Sequence, residues 1–87
     1  MNFLHYEVDL RPGDGVEVTL DKRANVKLLD ASNFNAYRSG RQHRYHGGHA
    51  TRSPVHIVPP HPGIWHVVID LGGYAGTVRA SVRTVQS

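Results

Sequence analysis

The stretch "IWHVVIDL", residues 64–71, is apolar at nearly every position rather than at every second one. Trp65, Val67 and Ile69 form one alternating set, while Ile64, His66 and Val68 form the other. Successive side chains of a strand point to opposite faces, so a strand of this composition has both faces covered and runs through the middle of a sheet. His66 within it reads as a satisfied core or interface histidine. Asp70, just before "LGG", reads as an acceptor for the amides of the turn "GGYAG" (72–76).

Outward from this strand the pattern has period two. In residues 3–10, Leu4, Tyr6, Val8 and Leu10 share one face, with Phe3, His5, Glu7 and Asp9 on the other. "RPGDG" (11–15) supplies a turn, Val16, Val18 and Leu20 alternate, "DKRAN" turns again, and "VKLLD" (26–30) points Val26 and Leu28 inward. Three strands joined by short turns predict an antiparallel meander. "ASNFNAYRSG" (31–40) breaks the rhythm. Ser32 or Asn33 can cap a short helical turn, Phe34 and Tyr37 share a face as a lid on the core, and Gly40 suits the exit. Later, Val55 and Ile57 before "PPHPG" predict an edge strand, because proline cannot donate to a ladder. Val78, Ala80 and Val82 alternate in a last strand. The whole chain, residues 1–87, thus reads as one all-β domain, a small antiparallel β-sandwich or flattened barrel of about eight short strands with one short helical turn.

A chain of 87 residues buries only a little more than ~60% of its unfolded surface, enough for one small core. It has no cysteine, which excludes disulfides, thiolate zinc sites and cysteine nucleophiles. No run approaches the ~18 apolar residues of a membrane helix. The alternating N-terminus reads as a first strand rather than a signal peptide, and a cytoplasmic location is the expectation.

Charge divides the chain unevenly. Residues 1–30 carry Glu7, Asp9, Asp14, Glu17, Asp21 and Asp30, whereas residues 31–69 contain no carboxylate and hold Arg38, Arg41, Arg44 and Arg52. Of the seven histidines, only His5 lies outside this acid-free middle. Such asymmetry points to an anionic partner, since summed positive charge raises the local concentration of anions.

At the centre of that segment stands "RYHGGH" (44–49). Gly-Gly between alternating stretches is a two-residue hairpin signal, because the favoured turns need positive φ. A hairpin on Gly47 and Gly48 would set His46 opposite His49, with Cβ atoms ~5 Å apart. His43 would then point the other way, so H-x-x-H-x-x-H does not make a three-histidine metal site, and the nearby guanidinium groups oppose a cation. No metal or cofactor is expected. Arg44 with His46 and His49, flanked by Arg41 and Arg52, supplies donors suited to phosphate or carboxylate. Tyr45 and Tyr37 interleave with these cations, as in single-stranded nucleic-acid grooves. His46, His49 and Arg44 are also the residue types of a metal-independent phosphodiesterase or ribonuclease. Ser53 precedes a proline and shows no nucleophile elbow.

The runs "NFLHYEVDLRPGDGVEVTL", "SNFNAY", "HRYHGG", "SPVHIVPPHPGIWHVVIDLGG" and "GTVRASVRTV" together resemble the bacterial family known as domain of unknown function 1883, over essentially the whole chain. The resemblance implies an all-β single domain. It also implies kinship with members joined to a Toll/interleukin-1-receptor-type domain, a fusion that favours a sensing or interaction module over an enzyme. It brings no established active site.

The reading that follows is a non-catalytic binding or sensing module, contacting an anionic ligand or protein partner through Arg41, Arg44, Tyr45, His46, His49 and Arg52. A nucleic-acid or nucleotide-phosphate binder and a histidine-based phosphodiesterase or ribonuclease are the alternatives. Neither a membrane nor a particular oligomeric state is implied.

Overall fold

The computed structural model describes residues 3–86. Among them, seven strands and one helix follow in the order β1 (Phe3–Leu10), β2 (Asp14–Leu20), β3 (Ala24–Leu29), α1 (Ala31–Arg38), β4 (His46–Ala50), β5 (Val55–Ile57), β6 (Gly63–Asp70) and β7 (Ala80–Gln86). They make two antiparallel sheets, one ordered β1-β6-β3-β4 and the other β5-β2-β7. The sheets pack face to face as a sandwich and do not close into a barrel. None of the described residues forms a helix long and apolar enough to cross a membrane.

Strand β6 is central and buried from Trp65 through Asp70, as its composition requires. Trp65, Val67 and Ile69 enter the core between the sheets with Leu10, Val16, Val18, Val26, Leu28 and Ile57. On the opposite face, Val68 packs with Leu29 and with Phe34 and Tyr37 of α1. The helix is therefore the cover for the outer face of the four-stranded sheet. An eight-residue helix is not stable alone; its two buried aromatics hold it in place. Its N-cap is Asp30, whose side chain accepts from the Asn33 amide at 2.8 Å, and neither Ser32 nor Asn33 takes that role. At the other end the Gly40 amide reaches Tyr37 O and the Arg41 amide reaches Ala36 O, the paired bonds of a Schellman exit through the positive φ of Gly40.

The expected meander does not form. β1 pairs with β6, from Phe3↔Asp70 to Leu10↔Gly63, and β2 crosses to the second sheet between β5 and β7. β3 returns to the first sheet on the other side of β6. The turns at 11–13 and 21–23 exist, but they are corners between sheets. β6 has two apolar faces and two edges to satisfy, and it takes β1 and β3 as neighbours.

The Gly-Gly hairpin does not form either. Gly47 and Gly48 lie inside β4, opposite Lys27 and Val26 of β3, so two expected strands are one and the total is seven. Both glycines do have positive φ, +108° and +145°. At Gly47 a Cβ would stand 2.3 Å from Val26 O, so close approach of two backbones demands glycine there; at Gly48 only the backbone angle does.

Three substitutions test this packing. Ile69→Ala removes a fully buried side chain and should cost about 2–5 kcal/mol, read as a lower urea midpoint. Gly48→Ala should cost the ~1–3 kcal/mol of backbone strain alone. Gly47→Ala should cost more than Gly48→Ala in the same assay, because strain and a backbone collision add.

Candidate functional site

β4 ends the four-stranded sheet, so the middle of the acid-free segment is laid along an open edge. Arg41, Arg44, Tyr45, His46, His49 and Arg52 are all exposed. The segment does not gather them at one tip. Arg41 and Arg44 sit where the chain leaves α1, with the Arg44 amide donating to Asn33 Oδ1 at 2.7 Å. Arg52 lies past the far end of β4, in a shallow cleft with Asp21, Lys22, Arg23 and Thr51. His46 is opposite Leu28 on the core-facing side and meets the Trp65 ring edge at 5.8 Å. His49 is opposite Asn25 on the helix side, with Nδ1 3.3 Å from Asn25 Oδ1. The two imidazoles are on different faces, and the paired constellation that a histidine-based phosphodiesterase would use is not assembled.

Tyr37 and Tyr45 also part company. Tyr37 is 6% exposed, and its hydroxyl donates to Asp70 Oδ2 at 2.5 Å. Tyr45 is 42% exposed, but the Lys27 ammonium lies over its ring at 4.5 Å and over that of Tyr37 at 5.0 Å. Lys27 Nζ also reaches His43 Nε2 at 3.1 Å, while His43 Nδ1 meets Arg41 O at 3.0 Å. An ammonium can only donate and a carbonyl can only accept, so the His43 proton is on Nδ1.

Asp70 anchors this helix-side network. Its carboxylate accepts from the Tyr37 hydroxyl, from Asn25 Nδ2 at 2.8 Å and from the Gly72 amide at 2.8 Å. Asn25 is its direct partner across β3 and β6, so one buried acid ties two strands, the helix and the following turn. Burial alone would raise its pKa; the hydrogen bonds from Tyr37, Asn25 and Gly72, with Lys27 nearby, prevail and hold it below the usual aspartate value. Burial and the same carboxylate push the Tyr37 hydroxyl well above the ordinary tyrosine range. The turn role expected for Asp70 is present, and to it are added the bonds from Tyr37 and Asn25, residues more than thirty positions away. A signal existed, since Asp70 is the only carboxylate after Asp30.

Further along the same face, His5 Nε2 and His66 Nδ1 are 2.8 Å apart with the rings 20° from coplanar. Phe34 stacks over both, at 4.1 and 4.6 Å between centroids. One ring donates to the other, which requires at least one neutral imidazole. Burial, reinforced by His66, lowers the pKa of His5. His66 is thus a satisfied interface histidine, 8% exposed.

A larger cleft of about 420 Å³ opens between the ends of β1 and β6 and the loop 71–78, with Phe3, Leu4, Ile69, Leu71, Tyr74 and Val78 among its walls. None of the six expected binding residues lines it. Ser53 accepts from the Leu20 amide at 2.8 Å, a structural tie between the two corners. Among the described residues no three His, Asp or Glu side chains converge as a metal site.

The family described as domain of unknown function (DUF1883) matches residues 1–87. The chain belongs to that family. No curated protein and no solved structure matches it. Membership covers every element described above and agrees with the resemblance carried by the "SNFNAY", "YHGG" and "GIWHVVIDLGG" stretches.

The carboxylate network has a pH signature. Because folded Asp70 binds its proton less tightly than the unfolded chain, its stabilisation is complete above the ordinary value of 3.8 and is lost as pH falls through the lower folded pKa. In urea titrations, Asp70→Asn should therefore flatten the fall in wild-type stability below about pH 4. Asp70→Leu, which strands three donors, should cost at least ~3 kcal/mol at pH 7.

Proposed function

We propose that this domain is a non-catalytic binding module that holds an acidic partner along the β4 edge and its flanks. One observation carries the reading. The cations of the acid-free segment at Arg41, Arg44 and Arg52 are exposed, and among the described residues none of them is neutralised by an ion pair. Arg83 provides the contrast, since its guanidinium is bound to Glu17 at 2.7 Å. Unpaired surface cations on one edge attract an anion and orient it.

The polar groups of the helix side, by contrast, are consumed within the fold. Asp70, Tyr37, Asn25, Lys27 and His43 bond to one another or to backbone. That pattern supports a rigid scaffold beneath a charged edge rather than a reaction centre. It also favours a protein partner over single-stranded nucleic acid, whose bases need open aromatic faces. Tyr37 is buried, and Lys27 covers a face of Tyr45.

Fluorescence anisotropy with a labelled glutamate-rich peptide tests the proposal. Binding should weaken steadily as salt rises from 50 to 500 mM, on the order of a Debye-screening effect. Arg44→Ala with Arg52→Ala should weaken it by about three- to tenfold at low salt, while urea midpoints stay near wild type because both side chains are exposed. Peptide affinity unchanged by the double substitution would sink the assignment of this edge.

A further inference from the structure

The two sheets present four edge strands, and three of them are guarded. β5 has three residues, Val55–Ile57, with Pro54 before it and Pro59 close after it. β1 alternates His5, Glu7 and Asp9 on its exposed side, and its Tyr6 hydroxyl is bonded across to Ala80 O of β7. β7 carries Arg83, already paired with Glu17 of β2, and the approach to it is pinned by the Arg79 amide on Asp21 Oδ1. Short length, proline and charge are the usual means by which a sheet edge refuses another strand.

β4 has none of these. "HGGHA" contains no proline, lysine or carboxylate, and its ladder to β3 runs without interruption from Leu28↔His46 to Ala24↔Ala50. Gly48 has no heavy atom within 4 Å of where a side chain would begin. Gly47 needs glycine to clear Val26 and Gly48 needs it for its backbone angle, and together they leave two successive edge positions without side chains. Consecutive glycines on an edge leave the backbone bare, which is what close approach by another backbone requires. Arg44 precedes the bare strand and Arg52 follows it, with no acid between residues 31 and 69.

We propose that β4 receives an extended acidic peptide as a fifth strand of the four-stranded sheet, with Arg44 and Arg52 meeting its carboxylates at either end. This rests on the reading of the β4 edge as an anion-binding surface, and adds how the partner is held: by main-chain hydrogen bonds as well as charge. Strand addition explains why the cations bracket a bare backbone instead of clustering.

The test modifies the peptide and leaves the domain intact. A labelled ten-residue peptide of alternating Glu and Val is measured beside two versions N-methylated at alternate backbone nitrogens, one set for each edge of the peptide, and beside a ten-residue oligothymidylate. One N-methyl set should weaken binding by at least tenfold and the other by less than twofold, since only one edge of the added strand faces β4. Amide hydrogens of His46–Ala50 should exchange more slowly in the complex. If both N-methyl sets bind like the parent, strand addition is overturned while the anionic surface stands. No peptide binding at any salt would remove both readings, and tighter binding of the oligothymidylate would replace the peptide with nucleic acid.

Discussion

Strand β6 must be dry on both sides, and that constraint arranges everything else. One face is answered by the second sheet, which brings Val16, Val18 and Ile57 against Trp65, Val67 and Ile69. The other is answered by a helix too short to persist without the contact, through Phe34 and Tyr37. At the strand's end the apolar run stops at a carboxylate. An isolated buried charge would be prohibitive, so Asp70 survives there only because the helix, β3 and the turn each send it a donor. The acid is therefore a joint, placed where four pieces of chain have to meet.

This arrangement separates two kinds of polar chemistry on one small molecule. On the helix side, side chains are spent on each other, in the Asp70 network and in the His5–His66 pair under Phe34. At the two ends of β4, Arg44 and Arg52 are exposed beside a backbone with few side chains. Groups committed to internal bonds hold still and give the edge a fixed frame. If the edge binds as proposed, such a frame loses little entropy in being ordered.

Much of the fold was legible because burial leaves a periodic trace. The unbroken apolar run marked β6 as central, the prolines marked β5 as an edge, and Phe34 with Tyr37 marked the lid. Alternation reports faces, however, and is silent on neighbours. β1, β2 and β3 alternate just as a meander would, yet β2 belongs to the other sheet. The glycine pair misled for a related reason. Positive φ is common to a tight turn and to a strand pressed against its neighbour's carbonyl, and Gly47 uses it for the second purpose. Reading a turn there brought His46 and His49 together on one face, whereas a continuous strand sets residues three apart on opposite faces. The role of Asp70 beyond its own turn depended on Asn25 lying across from it, a register that no local pattern encodes.

The place of β6 in the chain has a consequence for how the molecule is made. Phe3 finds its partner at Asp70, and Asp14 finds its own at Gln86. During synthesis, the first sixty residues emerge with β3 and β4 able to pair, and β2 and β5 at their final three-residue register, but with the central strand still missing. β1 waits alone until the sixties leave the ribosome. Folds dominated by such distant pairings form slowly, and their unpaired strands are open to wrong partners meanwhile. The acidic residues crowded into the first thirty positions, Glu7, Asp9 and Glu17 on the strands themselves, give those waiting segments mutual repulsion. The uneven charge of this chain thus bears on how its strands wait for their partners, and not only on the finished surface.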